Sequence, residues 1–98
     1  MTTITGHFAT PRASGYLQQL CKHFGHKVEA TFDERSGVIA FPAARATLAA
    51  TDEALSVTLD AESVEDLERM QGVIDSHLAR FAFREGFERM DWAARPEA

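Results

Sequence analysis

Val28-Glu29-Ala30-Thr31-Phe32-Asp33-Glu34-Arg35-Ser36-Gly37-Val38-Ile39-Ala40-Phe41 decides the fold. Val28, Ala30 and Phe32 alternate with Glu29, Thr31 and Asp33, the period of a half-buried strand. Asp33 to Gly37 then supplies turn chemistry, because Asp and Ser side chains satisfy nearby backbone groups and glycine relaxes the steric limits of a reversal. The chain returns through Val38 to Phe41, and the segment reads as a β-hairpin.

The same period continues downstream. Pro42 to Arg45 interrupts it, Ala46, Leu48 and Ala50 resume it, and Thr51-Asp52-Glu53 marks a turn. Ala54 to Leu59 then alternates Leu55, Val57 and Leu59 with Ser56 and Thr58, whose branched side chains suit a pleated surface. Upstream, Thr3 to Ala9 alternates Ile4, Gly6 and Phe8 with Thr5 and His7, giving a first strand.

Two helices flank this meander. Thr10 followed by Pro11 is a start signal, since the hydroxyl can accept a free N–H and proline at the first helical position has none to lose. The stripe Ala13, Tyr16, Leu17, Leu20, Cys21 and Phe24 has helical spacing, with Gly25 as its stop. The second helix starts from Ser63, where Ser63-Val64-Glu65-Asp66 has the form of a capping box. It presents Leu67, Met70, Ile74, His77, Leu78 and Phe81. From Phe83 to Trp92 the pattern fits a helix through Phe83, Phe87 and Met90, or a strand through Glu88, Met90 and Trp92; a short sixth strand after Gly86 is the reading adopted.

These elements predict one α+β domain over residues 1–92, with residues 93–98 as a frayed tail. A curved antiparallel sheet of five to six strands carries two helices on one face, in the order β-α-β-β-β-β-α(-β). That order is similar to one repeat of the TATA-binding protein, a likeness of shape that implies nothing about DNA. Acids outnumber bases 15 to 10, which argues against a general nucleic-acid binder, because phosphate binding is driven by Lys and Arg displacing counterions. Cys21 has no second cysteine to pair with, and the N-terminus lacks the pattern of an export signal, so a reducing cytoplasm is expected. No apolar run approaches the ~20 residues that span a bilayer.

One short segment gathers chemistry-bearing groups: Cys21-Lys22-His23-Phe24-Gly25-His26-Lys27, with His77 on the second helix. Thiol and imidazole are ligands for zinc or iron. Cys21 and His23, two positions apart, point about 200° apart on a helix and cannot grip one ion. His23 and His26 could share a face, or His26 could swing back beyond Gly25, with His77 completing a metal site. The competing reading makes His77 a core imidazole bonded to backbone or to Tyr16. Cys21 as a nucleophile paired with His77 is a third, disfavoured because the C-terminal end of a helix opposes thiolate formation.

His77-Leu78-Ala79-Arg80-Phe81-Ala82-Phe83-Arg84-Glu85 interleaves arginine with phenylalanine, a pattern able to hold an anionic aromatic ligand with Tyr16, Arg80 and Arg84 around it. Equally, it describes a helix end with core phenylalanines and arginines that pair with Glu85 and Glu88. Asp60, Glu62, Glu65, Asp66 and Glu68 form a charge run accounted for by the dipole of the second helix.

The segments Tyr16 to Lys27 and His77 to Glu85, with Trp92 near the end, resemble the bacterial domain-of-unknown-function family numbered 2218 over nearly the whole chain. The resemblance implies a small cytoplasmic protein related to, or joined to, siderophore-interacting flavin reductases. It implies an accessory role in iron or siderophore handling, with His23, His26, His77 and Arg80 on the matching segments. It does not imply an enzyme, and no glycine-rich flavin or nicotinamide fingerprint follows any strand. The expected function is therefore a non-enzymatic module that binds a metal ion, iron or zinc, or a small anion. The alternative is a module that homodimerises or docks on a reductase through the sheet face opposite the helices, which a contiguous apolar patch there would favour.

Overall fold

A computed structural model describes residues 2–94. The chain runs β1 (Thr2–Ala9), α1 (Ala13–Phe24), β2 (Glu29–Phe32), β3 (Ser36–Ala40), β4 (Ala44–Ala50), β5 (Ala54–Ala61), α2 (Val64–Phe81), a single 3₁₀ turn at Phe83–Glu85 and β6 (Asp91–Ala94). The strands form one sheet in the order β2-β3-β4-β5-β1-β6, antiparallel throughout. The α+β order expected from the sequence is the order observed.

Strand alternation sets the two faces. Ala44, Ala46, Leu48 and Ala50 of β4 and Leu55, Val57, Leu59 and Ala61 of β5 are buried. Each is followed by a more exposed neighbour, as a period of two requires. Against this face α1 buries the six residues of its expected stripe, while α2 buries Leu67, Met70, Ile74 and Leu78. His77 and Phe81 end half-buried at the margin of that core, where α2 faces the end of α1. The opposite face is polar. Thr31, Val38, Thr47, Thr58 and Thr5 pair across five strands in one row, and the Thr5 and Thr58 hydroxyls lie 3.0 Å apart. Large exposed hydrophobics among the described residues are Phe32, Val64 and Phe83, none of them in that row.

The boundaries shift for local reasons. The Thr10 hydroxyl accepts the Arg12 N–H at 3.1 Å, yet α1 begins only at Ala13, because the Thr10 N–H is held by the Glu53 carbonyl of the β4–β5 turn. Asp33 Oδ1 accepts the N–H groups of Arg35 and Ser36, so the hairpin closes early and β3 starts at Ser36. These two bonds also hold the Asp33 carboxyl below its ordinary pKa. Phe41 leaves the strand to pack edge-on against Phe24, ring centroids 4.9 Å apart. Ser63 caps α2 as expected, accepting the Asp66 N–H at 3.1 Å, while Asp66 turns its carboxylate to Arg69 at 3.3 Å.

The ambiguous segment after α2 contains both a turn and a strand. Gly86, at φ 73°, takes the left-handed conformation that glycine tolerates best and redirects the chain. Phe87 then packs on Phe8 at 4.6 Å, and β6 pairs with β1 from His7↔Asp91 to Ile4↔Ala94. The strand thus continues two residues past Trp92; the rest of the expected tail, 95–98, lies outside the described residues. Asp75 of α2 fastens this end, its two oxygens accepting the Met90 N–H and the Trp92 indole N–H, each at 2.9 Å.

Candidate functional site

The last turn of α1 and the final third of α2 bring His23 and His77 together, their ring centroids 4.9 Å apart. Phe24 lies against both, at 5.1 Å from His23 and 4.8 Å from His77, and Phe81 completes the wall 6.2 Å from His23. The site is therefore an aromatic surface patch in which His23 is exposed and His77 half-buried. Near its Phe41 side opens a groove of about 700 Å³, lined by Phe41, Pro42, Arg45, Asp60, Glu62 and Asp66.

The tautomer of His77 follows from its partner. Nδ1 lies 2.7 Å from the Val73 carbonyl. A carbonyl only accepts, so Nδ1 carries a proton whatever the charge on the ring, and the site left to gain or lose a proton, or to hold a lone pair when the ring is neutral, is Nε2. The same kind of bond orients many metal-binding histidines. His23 is held below its usual pKa, first by desolvation and then by the positive charges of His77, Arg80, His26 and Lys27. The field around the pair is thus positive.

His26 does not join the pair in a three-ligand cluster; among the described residues no group of three or more His, Cys, Asp or Glu is arranged to hold a metal ion. Gly25 keeps right-handed angles of φ −62° and ψ −14°. The left-handed stop expected there is not formed. The chain winds on, with Lys27 and Val28 donating to the Phe24 carbonyl, and His26 is exposed.

The expected anion-binding residues separate. Arg80 is exposed, one helical turn beyond His77, and its charge is felt at His23. Tyr16 is 5% exposed, its hydroxyl donating to the Glu85 carboxylate, which also accepts from the Thr10 hydroxyl at 3.0 Å. Burial first, and then Glu85, raises the Tyr16 pKa. Tyr16 therefore anchors the 3₁₀ turn and makes no bond to His77. Arg84 stacks its guanidinium on Phe83, 5.5 Å from the ring centroid, and Glu85 is engaged by the two hydroxyls.

Cys21 is fully buried, with its sulfur toward Gly37 of β3, and burial pushes the thiol pKa up to about 11. A thiol so held supplies no nucleophile at neutral pH. In native buffer it should react with a disulfide reagent only through opening of the fold, and in urea at once. A fast native phase comparable to that of free cysteine would contradict this burial.

Sequence reasoning missed Asp75 and Phe41, and it expected Glu85 to pair with the arginines, whereas it accepts from Tyr16 and Thr10. Each acts through a partner at least 15 residues away in sequence, and no local pattern marks such pairings.

Residues 5–93 match a family described as an uncharacterized protein conserved in bacteria (DUF2218). The NMR structure of PA4090 from Pseudomonas aeruginosa is similar in fold and sequence, with a TM-score of 0.79 and 33% identity over 95% of this chain and 96% of that one. No curated protein matches. The chain belongs to the DUF2218 family.

Proposed function

We propose that this DUF2218 member is a non-enzymatic binding module that takes a small anionic ligand, free or as an anionic metal chelate, against His23, His77 and Arg80. The observation that carries the reading is the imidazole pair, 4.9 Å between centroids, set in a positive field. Gathered positive groups repel one another, and an anion seated among them turns that repulsion into attraction. The same field opposes a bare divalent cation. An anionic chelate meets no such penalty, and its metal could still take the lone pair of His77 Nε2. Iron chelators with catecholate or hydroxamate oxygens have this character, which fits an accessory role in iron or siderophore handling beside a reductase. Phe81, half-buried beside His23, gives an aromatic ligand a wall to stack on.

The test is an NMR titration that follows the histidine rings while 2,3-dihydroxybenzoate, its Ga(III) complex, or Zn(II) alone is added. Saturable shifts at His23 and His77 are expected with the catecholate or its complex. Arg80→Ala should weaken binding about tenfold, the value of one charge-assisted hydrogen bond. An anion favours protonated imidazole, so its affinity rises as pH falls toward and below the ordinary histidine value of 6.5. A metal needs the neutral ring, so its affinity falls over that range. Saturation by Zn(II) alone with this second pH dependence would replace the anion reading with a metal site. Silence of both rings toward all three probes would overturn both.

A further inference from the structure

We propose that α2 is a dimerisation helix, across which a second copy of this chain lays its own α2 antiparallel about a two-fold axis midway between Gly72 and Ser76, pairing Glu68 of each copy with Arg80 of the other. The inference does not rest on the ligand reading, and Arg80 is the one residue common to both.

The outward side of α2 carries Glu68, Gly72, Ser76 and Arg80, all exposed and each four residues after the last. Residues at that spacing form one continuous row on a helix surface. The middle of the row is low. A Cβ built on Gly72 would meet nothing within 4 Å, so no neighbour in the chain requires glycine there, although glycine weakens a helix interior. The Ser76 hydroxyl folds back to donate to the Val73 carbonyl at 3.2 Å and adds little height. Two helices that meet at such a point can bring their axes close, and rows of this spacing mesh at a crossing angle of about −50°.

Charge and symmetry select the occupant. Among the described residues Arg69 pairs with Asp66 within α2, whereas Glu68 and Arg80 have no ion-pair partner. An antiparallel copy centred between Gly72 and Ser76 sets Gly72 against Ser76 and Glu68 against Arg80, each twice by symmetry. A parallel copy would set Glu68 against Glu68 and Arg80 against Arg80. Centring the axis on Gly72 or on Ser76 would place Arg80 opposite Val64 or Gly72 and lose its acid. A uniformly acidic or basic partner would be repelled at one end of the row. The surface that fits both ends is this same row, turned about the two-fold. One helix pair is a small contact, so the dimer belongs with weak, concentration-dependent interfaces.

With no ligand present, sedimentation equilibrium from micromolar to millimolar chain concentration should show the mass rising toward double, and less steeply in high salt. Glu68→Arg and Arg80→Glu should each weaken the dimer about tenfold, because each turns two attractions into two repulsions. Mixed together, the two variants should associate more tightly than either alone, since every facing pair is then opposite in charge. Gly72→Gln fills open space on the monomer's helix, so the chain should fold as before, but the added side chain holds the axes apart and should leave it monomeric at millimolar concentration. A wild-type chain that is monomeric there, a dimer unmoved by the charge reversals or by Gly72→Gln, or a mixture no heavier than its two components would each overturn the proposal.

Discussion

Asp75→Ala is expected to cost about 2–4 kcal/mol of folding stability, because it removes the acceptor of two donors at once, one of them on the buried Met90. The Asp75 carboxylate holds the Met90 N–H and the Trp92 indole N–H, each at 2.9 Å, and Met90 is 2% exposed. β6 adds only four residues to the sheet, so its attachment leans on this clasp and on the indole packed over Gly6. A Cβ built on Gly6 would lie 2.7 Å from the indole ring, so Gly6→Ala should displace Trp92 from the same site. Trp92 is the chain's single tryptophan, so its fluorescence reports the change directly. Urea unfolding followed by that signal should show a lower midpoint for Asp75→Ala and an intermediate one for Asp75→Asn, which keeps one acceptor. Fast amide exchange at 91–94 with the rest of the sheet protected would be the structural counterpart. If Asp75→Ala unfolds within about 0.5 kcal/mol of wild type, the range of an ordinary surface change, the clasp is not what holds β6.

The elements were legible because their information is local. The six buried residues of α1 and the alternation in β4 and β5 follow from period alone, and the Ser63 cap follows from a hydroxyl placed before an apolar stripe. The boundaries were less so, because distant partners set them. Thr10 delays α1 through Glu53 and Glu85, and Phe41 ends β3 in favour of Phe24. The same distinction divides the site. The types and spacing of His23, His77 and Arg80 drew attention in sequence, and the fold brings them into one field. Tyr16, singled out with them, is committed to Glu85, a partner 69 positions away. The swing of His26 beyond Gly25 was not legible either, because glycine is the residue whose angles sequence constrains least.

Gly37 carries the second large effect. Beneath it α1 lays the Cys21 sulfur so close that a Cβ on Gly37 would stand 2.8 Å from it, 3.1 Å from Phe32 Cβ and 3.5 Å from a Leu17 methyl. Neither the sulfur nor the Phe32 Cβ lies at the free end of a flexible chain, so α1 or the β2–β3 hairpin must shift. Gly37→Ala should therefore destabilise by about 1–3 kcal/mol, the usual range for overpacking a filled core. Cys21→Ala alone should cost about 1 kcal/mol, through lost packing of a small buried group. The double variant separates packing from backbone effects. Removing the sulfur vacates the space the new methyl needs, so Cys21→Ala with Gly37→Ala should be more stable than the sum of the singles by about 1 kcal/mol. Additive losses would instead place the requirement for glycine in the strand backbone or against Phe32. The cycle also bears on the thiol's role, since a cysteine whose removal is made good by one added methyl is present for its volume and not for its chemistry.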